Sequence, residues 1–222
     1  MDLTNSNLPS FDLTAKRVLL RVDFNIPIRD DEILNDERMV RALPTIEYLL
    51  EHAKSLRIIT HRGRPQESGK IQPEFSVKPI AKRLSQLLDI PIPIANSLED
   101  LDQAAKIIML ENIRFFNGEK NNSEELARQL GKSSDIYIMD AFGTAHRKQA
   151  STFAVIDSVS EAGVGFLVED ELKALKKILV NPEKPLIGII GGSKISTKIN
   201  VIDSLTSHVD KLIIGGALAN TC

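Results

Sequence analysis

The sequence predicts an α/β protein in which a parallel β-sheet is flanked by helices. Short apolar runs rich in Ile, Val and Leu recur along the chain and alternate with longer amphipathic segments. Continuous apolar runs of this length are typical of strands that helices bury on both faces. Regular alternation of strand and helix patterns favours a parallel sheet. The predicted strands are Val18–Val22, Leu56–Thr60, Ile90–Ile94, Lys106–Leu110, Asp135–Met139, Pro185–Ile190 and Lys211–Ile214.

The helices are predicted between these strands from apolar residues at helical spacing. Pro44 lies inside the first pattern and indicates a kink or a late start. Prolines within Ile90–Ile94 make that run an edge strand or an irregular one. Ser123 precedes two glutamates, which favours a capped helix start. The predicted helices are Asp36–Ala53, Val77–Leu88, Ser123–Leu130, Val168–Val180 and Ser196–Leu205.

The chain is predicted to hold one complete domain and the beginning of a second. The clearest boundary is Glu161–Phe166 (EAGVGF), and the long helix that follows is interpreted as a connector. The part beyond it contains two strands and one helix, which is too little to close a core alone. We therefore expect a first domain over residues 1–163, an interdomain helix over 164–181 and a truncated second domain over 182–222.

Composition and charge exclude several broad classes of protein. Apolar residues make up 42% of the 222 residues and charged residues 26%, as in folded globular proteins. The formal net charge of −2 gives no global basic field for nucleic acid or an anionic membrane. The single cysteine, Cys222, cannot form a disulfide within the chain, which favours a reducing compartment. Without a secretory signal or a long apolar stretch, we expect a cytoplasmic protein.

Polar residues directly follow the first predicted strand. Ligands of parallel α/β sheets bind beyond the carboxyl ends of the strands, so this position is a candidate site. The residues are Asp23, Phe24 and Asn25, and Pro27 then stops the strand. Asp23 and Asn25 could hold a hydroxyl and a carboxylate, but the same residue types also favour a simple turn.

A cluster of cationic and titratable residues follows the second predicted strand. It consists of His61, Arg62, Gly63 and Arg64. Glycine allows the backbone to approach a ligand closely, and arginine can bind phosphate through two parallel hydrogen bonds. These residues indicate an anion site. The alternatives are an exposed basic loop and, for His61, a structural hydrogen-bonding role.

Further arginines lie near the same predicted edge of the sheet. Arg114 and Arg147 follow the strands Lys106–Leu110 and Asp135–Met139, and Arg38 lies at the start of the first helix. An arginine among apolar neighbours needs a protein carboxylate or an anionic ligand. If the strands are parallel, these arginines and Arg64 converge, and they would repel one another without an anion. The pattern predicts a small, multiply charged anion that includes phosphate.

A glycine-rich strand-to-helix turn, Gly188–Lys198 (GIIGGSKISTK), indicates a second phosphate site. It does not match the P-loop pattern, because Ser193 and Ile195 stand where Gly and Ser/Thr are required. Lys194 and Lys198 are four residues apart and can share one helix face. Two lysines at a helix start are unfavourable unless an anion is bound. The alternative is a glycine turn with solvated lysines.

Seven motifs resemble, in order, those of the phosphoglycerate kinase family, bacterial type. They are RVDFNIP, THRGRP, ENIRF, DAFGTAHR, GFLVEDEL, GGSKISTK and GGALANT, and they extend from about Lys16 to the end of the sequence. The resemblance implies two Rossmann-like domains joined by a hinge, the first binding phosphoglycerate and the second the nucleotide. It implies the glycolytic transfer of a phosphoryl group between 1,3-bisphosphoglycerate and Mg-ADP, which gives 3-phosphoglycerate and Mg-ATP. The second domain would be truncated here.

The resemblance also implies a role for each candidate residue. Asp23 and Asn25 would hold the hydroxyl and carboxylate end of the substrate. Arg38 and Lys194 would be catalytic and face the transferring phosphoryl group. The other substrate-binding residues would be Phe24, His61, Arg62, Gly63, Arg64, Arg114 and Arg147, and the nucleotide-binding residues Gly191, Gly192, Lys194, Lys198 and Gly215. No metal ligand is assigned, since Mg²⁺ would arrive with ATP or ADP and its protein-side site lies in the missing part.

The sequence departs from the family pattern in a few places. Arg62 stands where the family has an apolar residue, and Ala217, Leu218 and Cys222 also differ. The nucleotide-binding glutamate and the later glycine–aspartate motif of the family are absent. We therefore expect a chain that binds phosphoglycerate but transfers phosphate poorly. The alternative is a non-catalytic phosphosugar-binding module. Nucleic acid and membrane are not expected as partners, and the full-length enzyme is expected to be a monomer.

Overall fold

A computed structural model describes residues 6–180, 182–192 and 199–220 of the chain. The chain folds into two compact units, Met1–Asp170 and Glu171–Cys222. The division falls inside a helix, Phe166–Val180. The candidate substrate residues all belong to the first unit, and the candidate nucleotide residues belong to the second.

The first unit is built on a six-stranded parallel sheet. Its strands are β1 (Arg17–Val22), β4 (Ser55–Ile59), β5 (Ile94–Ala95), β6 (Ile107–Leu110), β7 (Ile136–Asp140) and β8 (Glu161–Val164), and the short hairpin β2 (Ile28–Arg29) and β3 (Glu32–Ile33) stands apart. The order across the sheet is β5-β6-β4-β1-β7-β8. In β1, one of the two central strands, Leu20 pairs with Ile58 on one side and with Ile138 on the other. The predicted parallel sheet is thus confirmed.

Alternate residues of each strand enter two hydrophobic cores, one on each face of the sheet. In β1, Val18, Leu20 and Val22 are fully buried in one core, while Leu19 is fully buried in the other. The period of two follows from the pleat, which points successive side chains to opposite faces. This double burial explains why the strand is apolar on both faces in the sequence, apart from the buried Arg21.

Helices α1 (Glu37–His52) and α2 (Lys78–Leu88) contribute to the core on one face of this sheet, and α3 (Glu124–Lys132) contributes to the core on the other. The helix α1 begins before Pro44 and continues through it, so the late start considered for this helix is wrong. In α3, Ser123 Oγ accepts a hydrogen bond from the Leu126 amide at 3.4 Å, which confirms the capped start. The helices are α1 (Glu37–His52), α2 (Lys78–Leu88), α3 (Glu124–Lys132), α4 (Phe166–Val180) and α5 (Ile199–Thr206).

Two short elements differ from the sequence prediction. The β2–β3 hairpin was not predicted; its turn residues Asp30 and Asp31 both have positive φ, at 50° and 60°, which suits a two-residue turn. The segment Glu161–Val164, interpreted as part of a boundary, is instead the outer strand β8 paired with β7. Only Ile94 of the run Ile90–Ile94 is in a strand, in line with its prolines.

The second unit contains a two-stranded parallel sheet. Its strands are β9 (Ile187–Gly191) and β10 (Lys211–Gly215), and α5 lies between them in sequence. The prediction that these runs are buried on both faces is wrong, because Ile189 is 75% exposed and Ile213 is 52% exposed. Two strands and one helix supply too little apolar surface to cover each other. None of the helices among the described residues is long and apolar enough to cross a membrane.

Candidate functional site

The carboxyl ends of four neighbouring strands form one edge of the six-stranded sheet. The strands are β6, β4, β1 and β7, in that order, and all run parallel. The segments that follow them contain the polar and cationic residues singled out in the sequence. The fold therefore places these segments beside one another, as parallel strands require.

A cavity of about 460 Å³ lies among these segments. Arg64, Arg114 and Arg147, which follow three different strands, all line it. None of the described residues that line the cavity is acidic. The lining residues are Asn25, His61, Gly63, Arg64, Arg114, Lys120, Arg147 and Gln149.

Arg114 is the most deeply placed of the three arginines. It is 7% exposed, and its Nη1 donates a hydrogen bond to the Gly63 carbonyl at 2.6 Å. Its Nε is buried and has no hydrogen-bond partner among the described residues. Burial and then the nearby Arg147 lower the pKa of Arg114, but a guanidinium remains charged in a protein. The side chain thus presents an unused charged donor.

Gly63 is required by the backbone at this point. Its φ is +61°, and a Cβ atom here would lie 2.5 Å from the Phe75 ring. Its amide donates to Asn25 Oδ1 at 2.9 Å, which joins the segments after β1 and β4. A side chain at this position would be strained and would also meet an aromatic ring.

His61 is buried beside the guanidinium group of Arg21, which is also buried. Arg21 Nη2 lies 3.2 Å from His61 Nδ1. Arginine can only donate, so Nδ1 accepts and the proton of the neutral ring is on Nε2. Burial, followed by the charge of Arg21, lowers the pKa of His61 to about 2. His61 is therefore a neutral donor and not a cation at neutral pH.

Arg21 itself belongs to a buried network that the sequence analysis missed. Its Nε donates to Ser151 Oγ at 3.1 Å, and Ser151 Oγ donates to Glu119 Oε1 at 2.7 Å. Burial raises the pKa of Glu119, and the Arg21 charge opposes that shift. The only sequence signal was a charged residue inside an apolar strand, and Arg21 was interpreted simply as part of that strand.

Asn112 ties the two loops that follow β4 and β6 to each other. Its Oδ1 accepts from the amides of Arg62 at 3.2 Å and Arg114 at 3.1 Å. Its Nδ2 donates to the carbonyls of Arg62 at 2.7 Å and Phe75 at 2.9 Å. The side chain is fully buried, and both its donors and both its acceptor positions are used. Asn112 therefore fixes the spacing between the two loops.

Four predicted substrate residues lie outside the cavity lining. Arg38 Nη1 is 2.6 Å from Asp23 Oδ2, and the Arg38 side chain is 55% exposed. Phe24 is fully buried in the hydrophobic core, and its amide donates to Thr60 Oγ1. Arg62 Nη1 donates to the Ser76 carbonyl at 2.6 Å. Phe24 and Arg62 thus have structural contacts in place of an open face toward the cavity.

The candidate nucleotide residues are only partly described. Gly191 ends β9, directly opposite Gly215 at the end of β10. The Gly192 carbonyl accepts a hydrogen bond from the Leu218 amide at 2.9 Å. Lys194 and Lys198 lie outside the described residues. Within residues 6–180, 182–192 and 199–220, no group of three or more His, Cys, Asp and Glu side chains could hold a metal ion.

Comparison with known proteins identifies similar sequences along nearly the whole chain. The family model for phosphoglycerate kinase matches residues 8–222. The phosphoglycerate kinase of Coxiella burnetii is 44% identical over 216 residues, which cover 96% of this chain and 55% of that protein. The phosphoglycerate kinase of Desulfovibrio desulfuricans is 43% identical over 217 residues, which cover 97% and 56% respectively.

Solved structures give the same result. The structure of phosphoglycerate kinase from Coxiella burnetii matches with a TM-score of 0.88 at 44% identity, over 97% of this chain and 55% of that one. The enzyme from Pyrococcus horikoshii OT3 matches with a TM-score of 0.82 at 31% identity, over 97% and 56%. The chain spans about half the length of the relatives that it matches.

Proposed function

Because the chain belongs to the phosphoglycerate kinase family, we propose that it binds phosphoglycerate in the cavity at the edge of its six-stranded sheet. The complete protein transfers a phosphoryl group between 1,3-bisphosphoglycerate and ADP, giving 3-phosphoglycerate and ATP. Mg²⁺ enters this reaction as part of the nucleotide substrate. A cytoplasmic location and a monomeric full-length enzyme remain predictions from the sequence.

One observation carries this proposal: three arginines surround a cavity that has no acidic residue among its described lining. Arg64 and Arg147 form no side-chain hydrogen bond or ion pair with the described residues, and Arg114 Nε is buried without a partner. Leaving the buried Arg114 donor unpaired is costly, and three guanidinium groups close to one another repel. Phosphate oxygens supply both the acceptors and the negative charge.

The remaining residues fit the other end of an acidic phosphosugar. Asn25 lines the cavity and can donate to a carboxylate or hydroxyl through its amide. His61 offers a neutral Nε2–H, which hydrogen-bonds an oxygen without adding charge. We assign Asp23 to the substrate hydroxyl, and Arg38, now paired with Asp23, to the transferring phosphoryl group.

Phosphoryl transfer in this reaction depends on positioning and charge neutralisation. The nucleophile is already an ionised carboxylate or a nucleotide phosphate, so no side chain needs to remove a proton. On the nucleotide side we propose that Gly191, Gly192 and Gly215 allow the phosphates to approach the backbone, and that Lys194 and Lys198 neutralise them. Two substrates on separate domains imply closure that excludes water.

We further propose that this 222-residue chain catalyses the reaction poorly. It covers 55% of the length of its relatives, so much of the nucleotide-binding part of those enzymes has no counterpart in it. The substrate cavity, in contrast, lies wholly within the first unit. Binding of phosphoglycerate and transfer of phosphate should therefore be separable in this chain.

Calorimetric titration with 3-phosphoglycerate tests the binding proposal, and a coupled assay of ATP formation tests the activity. We expect saturable binding with one site per chain, and a turnover number far below that of the full-length Coxiella enzyme measured in parallel. Glycerate, which lacks the phosphate, is the control ligand and should bind far more weakly. Absence of 3-phosphoglycerate binding would refute the first proposal, and turnover equal to that of the full-length enzyme would refute the second.

A further inference from the structure

Two residues that line the cavity, Lys120 and Gln149, lie farther along the segments that follow β6 and β7 and have no role in the function proposed above. We propose that Lys120 is a fourth cationic ligand of the phosphate group. It lies on a side of the cavity, here called the wall, whose two loops are held together by a buried carboxylate. The inference rests on the proposed function, because it assigns a residue to the same cavity. It extends that function by naming a determinant of selectivity for phosphate esters.

The carboxylate that holds the wall together belongs to Glu119, which is fully buried. Its Oε1 and Oε2 accept from Ser151 Oγ at 2.7 Å and from the Ser151 amide at 3.0 Å. Its backbone carbonyl accepts from the Ala150 amide at 3.0 Å. These contacts join two loops that are distant in sequence, and they bring Lys120 and Gln149, the neighbours of the joined residues, to the same cavity. The position of Lys120 is thus fixed by the buried contacts of the preceding residue, Glu119.

The ammonium group of Lys120 is directed towards the anion-binding loop. Its Nζ lies 3.3 Å from the Pro65 carbonyl, which belongs to the residue after Arg64. The Lys120 amide donates to Glu67 Oε1 at 2.7 Å, which holds the same two loops together from the backbone side. An ammonium has three donors. The Pro65 carbonyl uses one of them, and within the described part of the chain Lys120 forms no salt bridge.

Buried polar atoms without partners give the second, independent observation. Gln149 is 9% exposed, and its Oε1 is buried with no hydrogen-bond partner among the described residues. Arg114 Nε is likewise buried with no hydrogen-bond partner among the described residues. A native cavity with both an unused acceptor and an unused donor is built for a polar occupant. The phosphate oxygens of a phosphate ester accept from the unused donor of Arg114. A hydroxyl elsewhere in the ester, or a water bound with it, donates to Gln149 Oε1.

The charge count favours a phosphate over a carboxylate at this end of the cavity. Arg64, Arg114 and Arg147 already exceed the charge of one carboxylate, and Lys120 adds a further cation to a described lining that contains no acidic residue. Glu67 lies outside this lining and accepts from the Lys120 amide. A phosphate dianion has more oxygens and more charge, so it uses donors that a carboxylate leaves idle. Lys120 therefore contributes to selectivity as well as to affinity.

The test compares Lys120→Met with Lys120→Arg and with Lys82→Met, an exposed lysine on α2 that serves as the matched control. Binding of 3-phosphoglycerate is measured by calorimetry, and binding of inorganic phosphate by NMR titration. We expect Lys120→Met to weaken both ligands about tenfold. Lys120→Arg should stay within about threefold of the unmodified chain, and Lys82→Met should have no effect. Because Lys120 is exposed, these changes leave the core intact.

Each outcome decides a separate question. If the unmodified chain binds both ligands and Lys120→Met binds them as tightly, the role of Lys120 is refuted while the proposed function stands. The same holds if Lys82→Met causes an equal loss, or if Lys120→Met affects only 3-phosphoglycerate. If the chain binds inorganic phosphate but not 3-phosphoglycerate, the proposed function fails. The role of Lys120 is then tested by the effect of Lys120→Met on the binding of inorganic phosphate alone. Binding of neither ligand would refute both.

Discussion

The guanidinium of Arg21 donates to Nδ1 of His61 from 3.2 Å, so one buried side chain decides which nitrogen of the other carries the proton. Both residues are almost completely inaccessible to solvent. The arrangement points a neutral Nε2–H donor towards the cavity that His61 lines.

The first prediction is that His61 stays neutral, with the proton on Nε2, throughout the range pH 5 to 8. The physical reason is burial beside Arg21, which lowers the pKa of His61 to about 2. Nitrogen-15 NMR of the imidazole distinguishes the two tautomers and the protonated ring. A titration midpoint near the ordinary value of about 6.5 would contradict the assignment.

The second prediction concerns stability and pH. The unfolded chain binds a proton on His61 below about pH 6.5, whereas the folded chain does not until about pH 2. Stability therefore falls as pH falls through this window, by at most about 1.4 kcal/mol per pH unit from this residue. His61→Asn, which keeps an acceptor for Arg21, should flatten the slope of unfolding free energy between pH 4 and 6.

The control for that experiment is His146→Asn, because His146 is exposed. The same urea titrations are made on the unmodified chain and on both variants. Equal slopes for all three proteins would show that the folded-state pKa of His61 is not depressed.

The third prediction is that Asn112→Ala lowers both stability and phosphoglycerate affinity. The change removes four hydrogen bonds from a fully buried position, so the free energy of unfolding should fall by roughly 2–4 kcal/mol. Affinity should fall because the loops carrying Gly63 and Arg114 lose their fixed spacing. Asn117→Ala, at an exposed residue nearby, should change neither. Calorimetry at a temperature where the variant is folded separates the two effects, and unchanged affinity there would be evidence against a positioning role.

The fourth prediction separates binding from stability at Arg64. The side chain is exposed and forms no hydrogen bond or ion pair within the described part of the chain. Arg64→Ala should therefore leave the unfolding free energy within about 0.5 kcal/mol of the original. It should weaken 3-phosphoglycerate binding by roughly 2 kcal/mol, or about thirtyfold. Arg128→Ala on α3 is the matched surface control, and similar affinities for all three proteins would remove Arg64 from the site.

The fifth prediction compares two glycines of similar backbone conformation. Gly63 has φ +61° and Gly69 has φ +68°, but only at Gly63 would a Cβ meet another side chain, the Phe75 ring. Gly69→Ala should cost about 1 kcal/mol of stability from the left-handed backbone alone. Gly63→Ala should cost roughly 2–3 kcal/mol, because the ring must also move. Equal costs in chemical denaturation would mean that the ring moves aside freely.

The sheet and helices of the first unit could be predicted because their apolar residues follow the periodic pattern that burial in a core requires. Val18–Val22 is apolar except for Arg21, so its strand is visible without tertiary information. The β2–β3 hairpin escaped prediction because each of its strands has only two residues. The strand β8 escaped because Glu161–Val164 contains glycine and is only half-buried, as outer strands often are.

The candidate site was predictable where cationic residues stand out in the segments that follow the strands. His61, Arg64 and Arg147 were found in this way. Lys120 and Gln149 lie in two of the same segments, but the hydrogen bonds between Glu119 and Ser151 that bring them to the cavity leave no pattern in the sequence. The pairing of Arg38 with Asp23 likewise depends on how α1 packs, which no local pattern in the sequence records.

The four hydrogen bonds of Asn112 also bear on protein engineering. A single amide makes the loop after β4 and the loop after β6 behave as one rigid piece. Designers who wish to alter ligand preference should exchange both loops together with this asparagine. A library that varies either loop by itself would mostly contain variants in which the two loops no longer fit each other. Variants that bind a ligand would be found mainly among coupled substitutions in both loops.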